Sequence, residues 1–462
     1  MTDKARNVIV FFTDQQRWDS SAIYGNPLNL TPNYDHAAMA GTHLYNCFTN
    51  QPVCGPARSI MQTGMYPTTT GCYRNNIPLP RDAVTLGMLF RDAGFKTGYI
   101  GKWHLGTQDP VPQHERGGYD HWLASNMLEF TSDAYDTTVY DNDNKARKLP
   151  GYRVDALADA AVRFIDAVKN DRFYLFLSFL EPHHQNHLDS YPGRIGDEQR
   201  YSGRWMPPDL QALGGTAAQH LPGYFGMIRR LDDAFGRIQD ALISLGLADD
   251  TVLLYTTDHG SHFKTRNAEY KRSVHDACVR VPGALIGGPF TGGGRVTELV
   301  STIDIAPTLL DAAGLDIPAN FSGNSVLSLV ERRNMSWPKE VFIQVSEDHV
   351  GRAIRNHRWK YGVRAQNADG WNDLGADQYE AEYLYDLHAD PYELNNLIGM
   401  NAFAGVVADL HQKLVGWIKA VEHREVRITA APEKPSGRRS VRVWDSDRTD
   451  SGNIQGGWRK NG

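Results

Sequence analysis

Three runs of β-branched, aliphatic and aromatic residues each end in a polar cluster, and this pattern constrains the fold of the 462-residue chain more than any other feature. Asn7 to Thr13 leads into Asp14-Gln15-Gln16, Phe173 to Phe179 into Glu181-Pro182-His183-His184, and Thr251 to Tyr255 into Asp258-His259-Gly260. Strands that read as continuous apolar runs are buried on both faces, as in parallel sheets. Open α/β sheets collect ligands outside the C-terminal ends of such strands. Helical patterns fill the intervals, among them Ala156 to Val168 and Tyr224 to Leu245. The sequence therefore predicts an α/β fold, a large mostly parallel mixed sheet sandwiched by helices. After the helix-like Leu86 to Ala93, Gly94 to His104 adds another short strand, ending in Gly101-Lys102-Trp103-His104.

The chain is longer than one hydrophobic core usually fills, so a second, smaller unit is expected. Ile303 to Leu310 opens a helix with proline in its first turn, and the turn-rich Gly314 to Asn324 follows. Residues 1–335 are assigned to a catalytic domain. Beyond it, Val341 to Val345, Gly351 to Arg355, Lys360 to Val363 and Glu382 to Asp386 read as short strands, and Phe403 to Val421 as an amphipathic helix. Residues 336–423 are thus assigned to a smaller antiparallel sheet plus helix, and residues 424–462 to a polar tail or arm.

A composition of 41% hydrophobic and 22% charged residues argues against disorder. The net charge of −6 offers no basic footprint, so nucleic acid is not an expected partner. No segment is long enough to span a bilayer, and residues 1–14 lack the features of a secretory signal. The expectation is a cytoplasmic protein with no membrane partner. Cys47, Cys54, Cys72 and Cys278 follow no close metal spacing and are too few for a disulfide framework.

One cysteine stands apart. Cys54-Gly55-Pro56-Ala57-Arg58, followed by Thr63-Gly64, suggests a nucleophile held beside a fixed positive charge. The stretch resembles the activation signature of the formylglycine-dependent (type I) sulfatases of the alkaline phosphatase superfamily. The likeness covers most of residues 7 to 310 and extends more loosely to Asp386-Leu387-His388-Ala389-Asp390-Pro391-Tyr392-Glu393. It implies an alkaline-phosphatase-like fold and a sulfuric ester hydrolase. It also implies that a formylglycine-generating enzyme oxidises Cys54 to an aldehyde. In the implied mechanism, one hydroxyl of the hydrated aldehyde attacks sulfur and the second drives elimination of sulfate, which avoids a stable ester on the enzyme.

The resemblance implies one divalent metal held by Asp14, Gln15, Asp258, His259 and the diol at position 54. Oxygen donors suit calcium or magnesium, and the His259 imidazole is more congenial to manganese; calcium is the expected ion. Many family members carry an acid where Gln15 stands and asparagine where His259 stands. Related phosphonate and phosphate ester hydrolases carry the Gln and His variants.

Among the remaining implied roles, Arg58 holds the diol and the metal-site carboxylates, and Lys102 and Lys271 bind sulfate. His104 helps deprotonate the diol. His183 binds sulfate or protonates the leaving oxygen, with His184 as its rival. Arg74, His262 and Arg266 are further substrate-binding candidates; His275 is a weaker one. Arg74-Asn75-Asn76, His187, Arg204-Trp205 and Arg266-Asn267 are candidates to frame a polar substrate such as a sulfated saccharide. Alternatives are a broad arylsulfatase, a phosphonate monoester or phosphodiester hydrolase, and a non-enzymatic binding protein, which would be expected to have lost the nucleophile or a metal ligand. Self-association is left open by the sequence.

Overall fold

The computed structural model describes residues 5–332 and 336–434. Its first ten strands are β1 Asn7–Thr13, β2 Thr42–Phe48, β3 Lys96–Lys102, β4 His121–Ser125, β5 Thr137–Tyr140, β6 Ala146–Leu149, β7 Phe173–Ser178, β8 Thr251–Thr257, β9 Gly283–Ile286 and β10 Gly294–Ser301. They form one sheet in the order β10-β2-β9-β8-β1-β7-β3-β4-β5-β6. The centre, β8-β1-β7-β3-β4, is parallel throughout. β9 enters antiparallel to both neighbours, and the β5-β6 hairpin closes one edge antiparallel.

Every residue of β1, β7 and β8 is buried, because helices cover both faces. Val8, Val10, Phe12, Tyr174 and Phe176 point to one core with residues of the helices Leu86–Asp92 and Ile305–Ala313. Ile9, Phe11, Leu175 and Leu177 point to the other, with residues of Arg153–Val168 and Ala217–Ser244. Fully burying each such side chain contributes about 1.5–3 kcal/mol, which is ample to hold the central strands in register.

The helix expected from Tyr224 begins seven residues earlier, at Ala217, and runs through Pro222. Proline is the sixth residue, so its missing N–H affects only an early turn. Gly223 lets this turn pack closely, since a Cβ there would lie 2.0 Å from the Tyr191 carbonyl oxygen.

The second sheet comprises β11 Val341–Val345, β12 Val350–Arg355, β13 Trp359–Ala365, β14 Gln378–Asp386 and β15 Arg427–Thr429, in that order. One face packs on the helix Ala404–Glu422 through Leu410, Leu414 and Ile418. The other face meets Phe48, Val274 and Val279 of the larger unit. β15 falls in the segment assigned to the polar tail, yet it pairs parallel with β14 and buries Ile428. Residues 435–462 of that tail lie outside the described residues. No helix among the described residues is long and apolar enough to cross a membrane.

Candidate active site

The sheet register assembles the site. Thr13 pairs with Thr257, so Asp14 and Asp258 leave adjacent strands side by side. Gly101 pairs with Ser178, which brings Lys102 to the same edge. From β2, a short loop delivers Cys54 as the first residue of the helix Cys54–Thr63. The Gly55 N–H donates to Asn75 Oδ1 at 2.8 Å and fixes that first turn. A helix N-terminus favours the anionic form of a nucleophile.

Cys54 is buried, and its Sγ lies 2.7 Å from Lys271 Nζ, 3.3 Å from His259 Nε2 and 3.5 Å from Asp14 Oδ1. Burial and the Asp14 carboxylate push the thiol up. Lys102, Lys271 and His259 outweigh them and draw it down to about 7. Asp14 Oδ2 accepts from Arg58 Nη2 at 2.9 Å and pairs with Lys102 Nζ at 2.9 Å. Burial opposes its charge, but Lys102, His183, Arg58 and Lys271 hold its carboxyl well below the usual range. Arg58 also donates through Nη1 to the Lys102 carbonyl at 2.9 Å and to Ser178 Oγ at 2.7 Å. The guanidinium therefore ties β3, β7 and Asp14 together.

Four groups are suited to a cation: Asp14, Cys54, Asp258 and His259 have ligand atoms within 4.8 Å of one another. Asp258 is pushed up to about 7 by burial and by its neighbour Asp14, as expected for two carboxylates crowded without enough opposing charge. His259 Nδ1 donates to the Gly260 carbonyl at 2.9 Å, which turns Nε2 toward Cys54. Gln15 joins them. Its backbone takes φ 68°, its N–H donates to Asp258 Oδ1 at 3.0 Å, and its Nε2 donates to Tyr191 Oη at 3.0 Å and Ser261 Oγ at 3.4 Å. Its Oε1 is left buried without a hydrogen-bond partner, as is Asp258 Oδ2. The unpartnered Gln15 Oε1 and an Asp258 Oδ2 that meets only Arg58 Nη2, at 3.5 Å, fit a divalent cation beside the His259 imidazole, since buried oxygens are otherwise hydrogen-bonded.

The other polar candidates divide into two groups. Lys271 Nζ lies 3.1 Å from His183 Nε2, so His183 faces the Cys54 side. His184 stacks on His183 at 4.4 Å and leans toward Tyr270 at 4.5 Å. The near-neutral His183 expected from the sequence is not found in the free enzyme. Burial, then Lys271 and His184, hold it well below its ordinary value. His104 is buried with neither ring nitrogen hydrogen-bonded and is pushed down to about 4 by burial and Lys102.

His262 and Arg266 face elsewhere. His262 Nε2 meets the Lys271 carbonyl at 3.1 Å and so anchors the Lys271 loop. Arg266 Nη2 donates to the carbonyls of Tyr392 and Glu393 at 3.1 and 2.9 Å, which ties that loop to the C-terminal Asp-Pro-Tyr-Glu stretch. Arg74 lies with its guanidinium over Trp371 at 4.8 Å, next to Asn75. His275 bonds to Tyr385 Oη at 3.1 Å in a buried setting.

The sequence reading missed Glu129, whose Oε1 lies 2.9 Å from Lys102 Nζ. A lone acid inside Met127-Leu128-Glu129-Phe130 was the available signal, because a charge in an apolar stretch is seldom buried without a partner. It also missed Ser178 and Tyr191, which buttress Arg58 and Gln15.

Comparison with known proteins identifies the family. The sulfatase family profile matches residues 6–315, and the C-terminal profile of N-sulphoglucosamine sulphohydrolase matches residues 268–420. An ulvan-active sulfatase of Formosa agariphila is 28% identical over 88% of this chain and 80% of its own length. An N-acetylglucosamine-6-O-sulfatase of Bacteroides thetaiotaomicron is 26% identical over 89% and 86%. A solved structure in complex with its substrate, D-glucosamine-2-N,6-O-disulfate, superposes with a TM-score of 0.74 at 23% identity, covering 91% of this chain and 99% of that one. With the nucleophile candidate, the acidic pair and the lysines on one strand edge of an alkaline-phosphatase-like sheet, the chain belongs to the sulfatase family and is a sulfuric ester hydrolase.

Proposed function

We propose that the chain hydrolyses sulfate monoesters of saccharides through a formylglycine made from Cys54 by a formylglycine-generating enzyme. The observation that carries this reading is the convergence of Lys271 and His259 on Cys54 Sγ, with Arg58 and Lys102 one carboxylate away on Asp14. The Cys54 sulfur stands in for the hydroxyls of a hydrated aldehyde. That group supplies one hydroxyl to attack sulfur and a second whose ionisation releases sulfate.

Asp14, Gln15, Asp258 and His259 would hold the divalent ion with position 54. Calcium suits their oxygens best, and magnesium or manganese are the alternatives. When bound, the ion supplies positive charge to the sulfuryl oxygens and makes a hydroxyl at position 54 more acidic.

The side chains account for the rest. Lys271 and Lys102 bind the ester oxygens, and Arg58 keeps Asp14 ionised and oriented. His104, neutral and with both ring nitrogens unpaired, takes the proton from a hydroxyl at position 54. His183, rather than His184, serves the leaving oxygen. An arriving anionic ester offsets the Lys271 charge and restores its affinity for a proton.

A saccharide substrate is supported by the match to the glucosamine sulphohydrolase profile and by the names of the two relatives. It is also supported by the Arg74–Trp371 pair, in which Trp371 is 37% exposed and offers a ring-stacking platform. A second reading, a phosphonate monoester or phosphodiester hydrolase, is favoured by the Gln15 and His259 ligand pair.

The discriminating experiment is a substrate panel on one preparation: 4-nitrophenyl sulfate, 6-O-sulfated glucosamine saccharides, a phosphodiester and a phosphonate monoester. The account expects sulfate release from the saccharide with the highest kcat/KM. Preferential turnover of the phosphorus esters transfers the assignment to the second reading. Efficient turnover of the aryl sulfate alone identifies a broad arylsulfatase.

A further inference from the structure

We propose that Glu129 sets this site to accept singly charged esters and to reject doubly charged ones, acting through Lys102. The inference deepens the reading above and rests on it for the orientation of substrate toward Cys54.

Glu129 lies in the short helix Leu128–Thr131, and its side chain is 3% exposed. Its Oε1 is 2.9 Å from Lys102 Nζ, which is itself 2.9 Å from Asp14 Oδ2. Its Oε2 is buried with no hydrogen-bond partner. The Glu129 carbonyl accepts from Gln185 Nε2 at 2.8 Å. Burial raises its affinity for a proton, but Lys102 and then His104 outweigh this, so the carboxyl stays ionised.

Around Cys54 stand three fixed cations, Arg58, Lys102 and Lys271, and three carboxylates, Asp14, Asp258 and Glu129. Asp14 and Asp258 serve the candidate cation site. Glu129 belongs to no such site, and pairing with Lys102 is what offsets the desolvation of its carboxylate. Its effect is to share Lys102 with Asp14 and to remove one unit of positive charge from the pocket.

That unit separates substrate classes. A sulfate monoester and a phosphodiester each carry one negative charge at neutral pH, whereas a phosphate monoester, with its second pKa near about 6, carries close to two. Inside a protein a unit charge acts more strongly than in water, so the extra charge of the phosphate monoester finds Lys102 already shared between Asp14 and Glu129. Shape does not make this distinction, because all three present a tetrahedral centre with anionic oxygens.

The test measures kcat/KM for 4-nitrophenyl sulfate, methyl 4-nitrophenyl phosphate and 4-nitrophenyl phosphate. Wild type is expected to turn over the phosphodiester better than the phosphate monoester. Glu129→Gln is expected to raise the phosphate monoester relative to the sulfate by about tenfold, with the diester-to-sulfate ratio unchanged within about twofold. Glu129→Asp, with the same charge on a shorter stem, keeps the wild-type ratios, and Glu129→Ala repeats the test independently of the glutamine amide. A wild type that prefers the phosphate monoester to the diester overturns the proposal. So does a uniform change in all three substrates on removing the charge, which would assign Glu129 to structure alone. A wild type active on the diester and inert toward sulfate esters would instead overturn the sulfatase reading and leave the charge selectivity standing.

Discussion

Near the second sheet, Lys360 Nζ lies 2.6 Å from Asp276 Oδ1 and 2.5 Å from Glu393 Oε1, Arg355 Nη2 lies 3.3 Å from Asp276 Oδ2, and the Asp276 N–H donates to Glu393 Oε2 at 2.6 Å. At the strand ends, Asp14, Asp258, Arg58, Lys102 and Lys271 make an equally buried and charge-dense cluster. In the first network each of the four carboxylate oxygens lies within 3.3 Å of a cation or an N–H. The second leaves Gln15 Oε1, Glu129 Oε2 and both nitrogens of His104 without hydrogen bonds, and Asp258 Oδ2 meets Arg58 Nη2 only at 3.5 Å. Desolvated charge is tolerated in both. In one it is used up in holding two sheets together, and in the other it is reserved for a ligand.

That contrast predicts opposite responses to mutation. The largest effect is expected from Cys54→Ala, which lowers kcat by roughly 10⁵-fold or more while the thermal midpoint stays close to wild type. Substantial activity on any sulfate ester would remove Cys54 from the chemistry. Lys360→Met strikes the closed network and leaves Asp276 and Glu393 buried without their shared cation. It should lose about 3–5 kcal/mol of stability, read as a lower unfolding midpoint, with the activity per folded molecule preserved. Lys271→Ala strikes the open site and should lower kcat/KM by about 10²–10³-fold with little change in the midpoint.

Smaller effects sharpen the same division. Dialysis against a chelator should lower both activity and the unfolding midpoint. Restoring calcium at a hundredfold excess over its Kd should return about 2.7 kcal/mol to the native state. If neither the midpoint nor intrinsic binding heats respond to calcium, magnesium or manganese, the orphaned oxygens have another purpose. The smallest change is expected at the rim. Trp371→Ala should raise KM for a sulfated saccharide by about tenfold or less and leave 4-nitrophenyl sulfate nearly unaffected. An equal loss on both substrates would assign Trp371 to the fold.

Much of the open site was legible because it hangs from central parallel strands. Buried on both faces, such strands are mostly apolar, so Asp14, Glu181 and Asp258 stand out as the first charged residues beyond them, with His183 two positions after Glu181. The cysteine signature supplied Cys54 and Arg58 directly. Glu129 did not emerge, because the feature that matters is its distance to Lys102 across a gap of 27 positions, and no local periodicity encodes that. Arg266, read as a substrate ligand from its place near Lys271 in sequence, donates through Nη2 to the backbone carbonyls of Tyr392 and Glu393, more than a hundred residues away, a contact that no local pattern announces. The strand Arg427–Thr429 was hidden because only Ile428 is buried, too short a pattern to separate from a polar tail. The helix expected from Tyr224 extends N-terminally through Pro222 to Ala217, where Gly223 packs against Tyr191.

The most direct test of the account is mass spectrometry of the peptide containing Cys54, taken from a preparation assayed in parallel on a sulfate ester. The account predicts an active preparation in which this peptide is about 18 Da lighter than the encoded thiol form, as an aldehyde requires, and activity that rises with the fraction converted. Full sulfatase activity from a preparation whose Cys54 is entirely unmodified would contradict it.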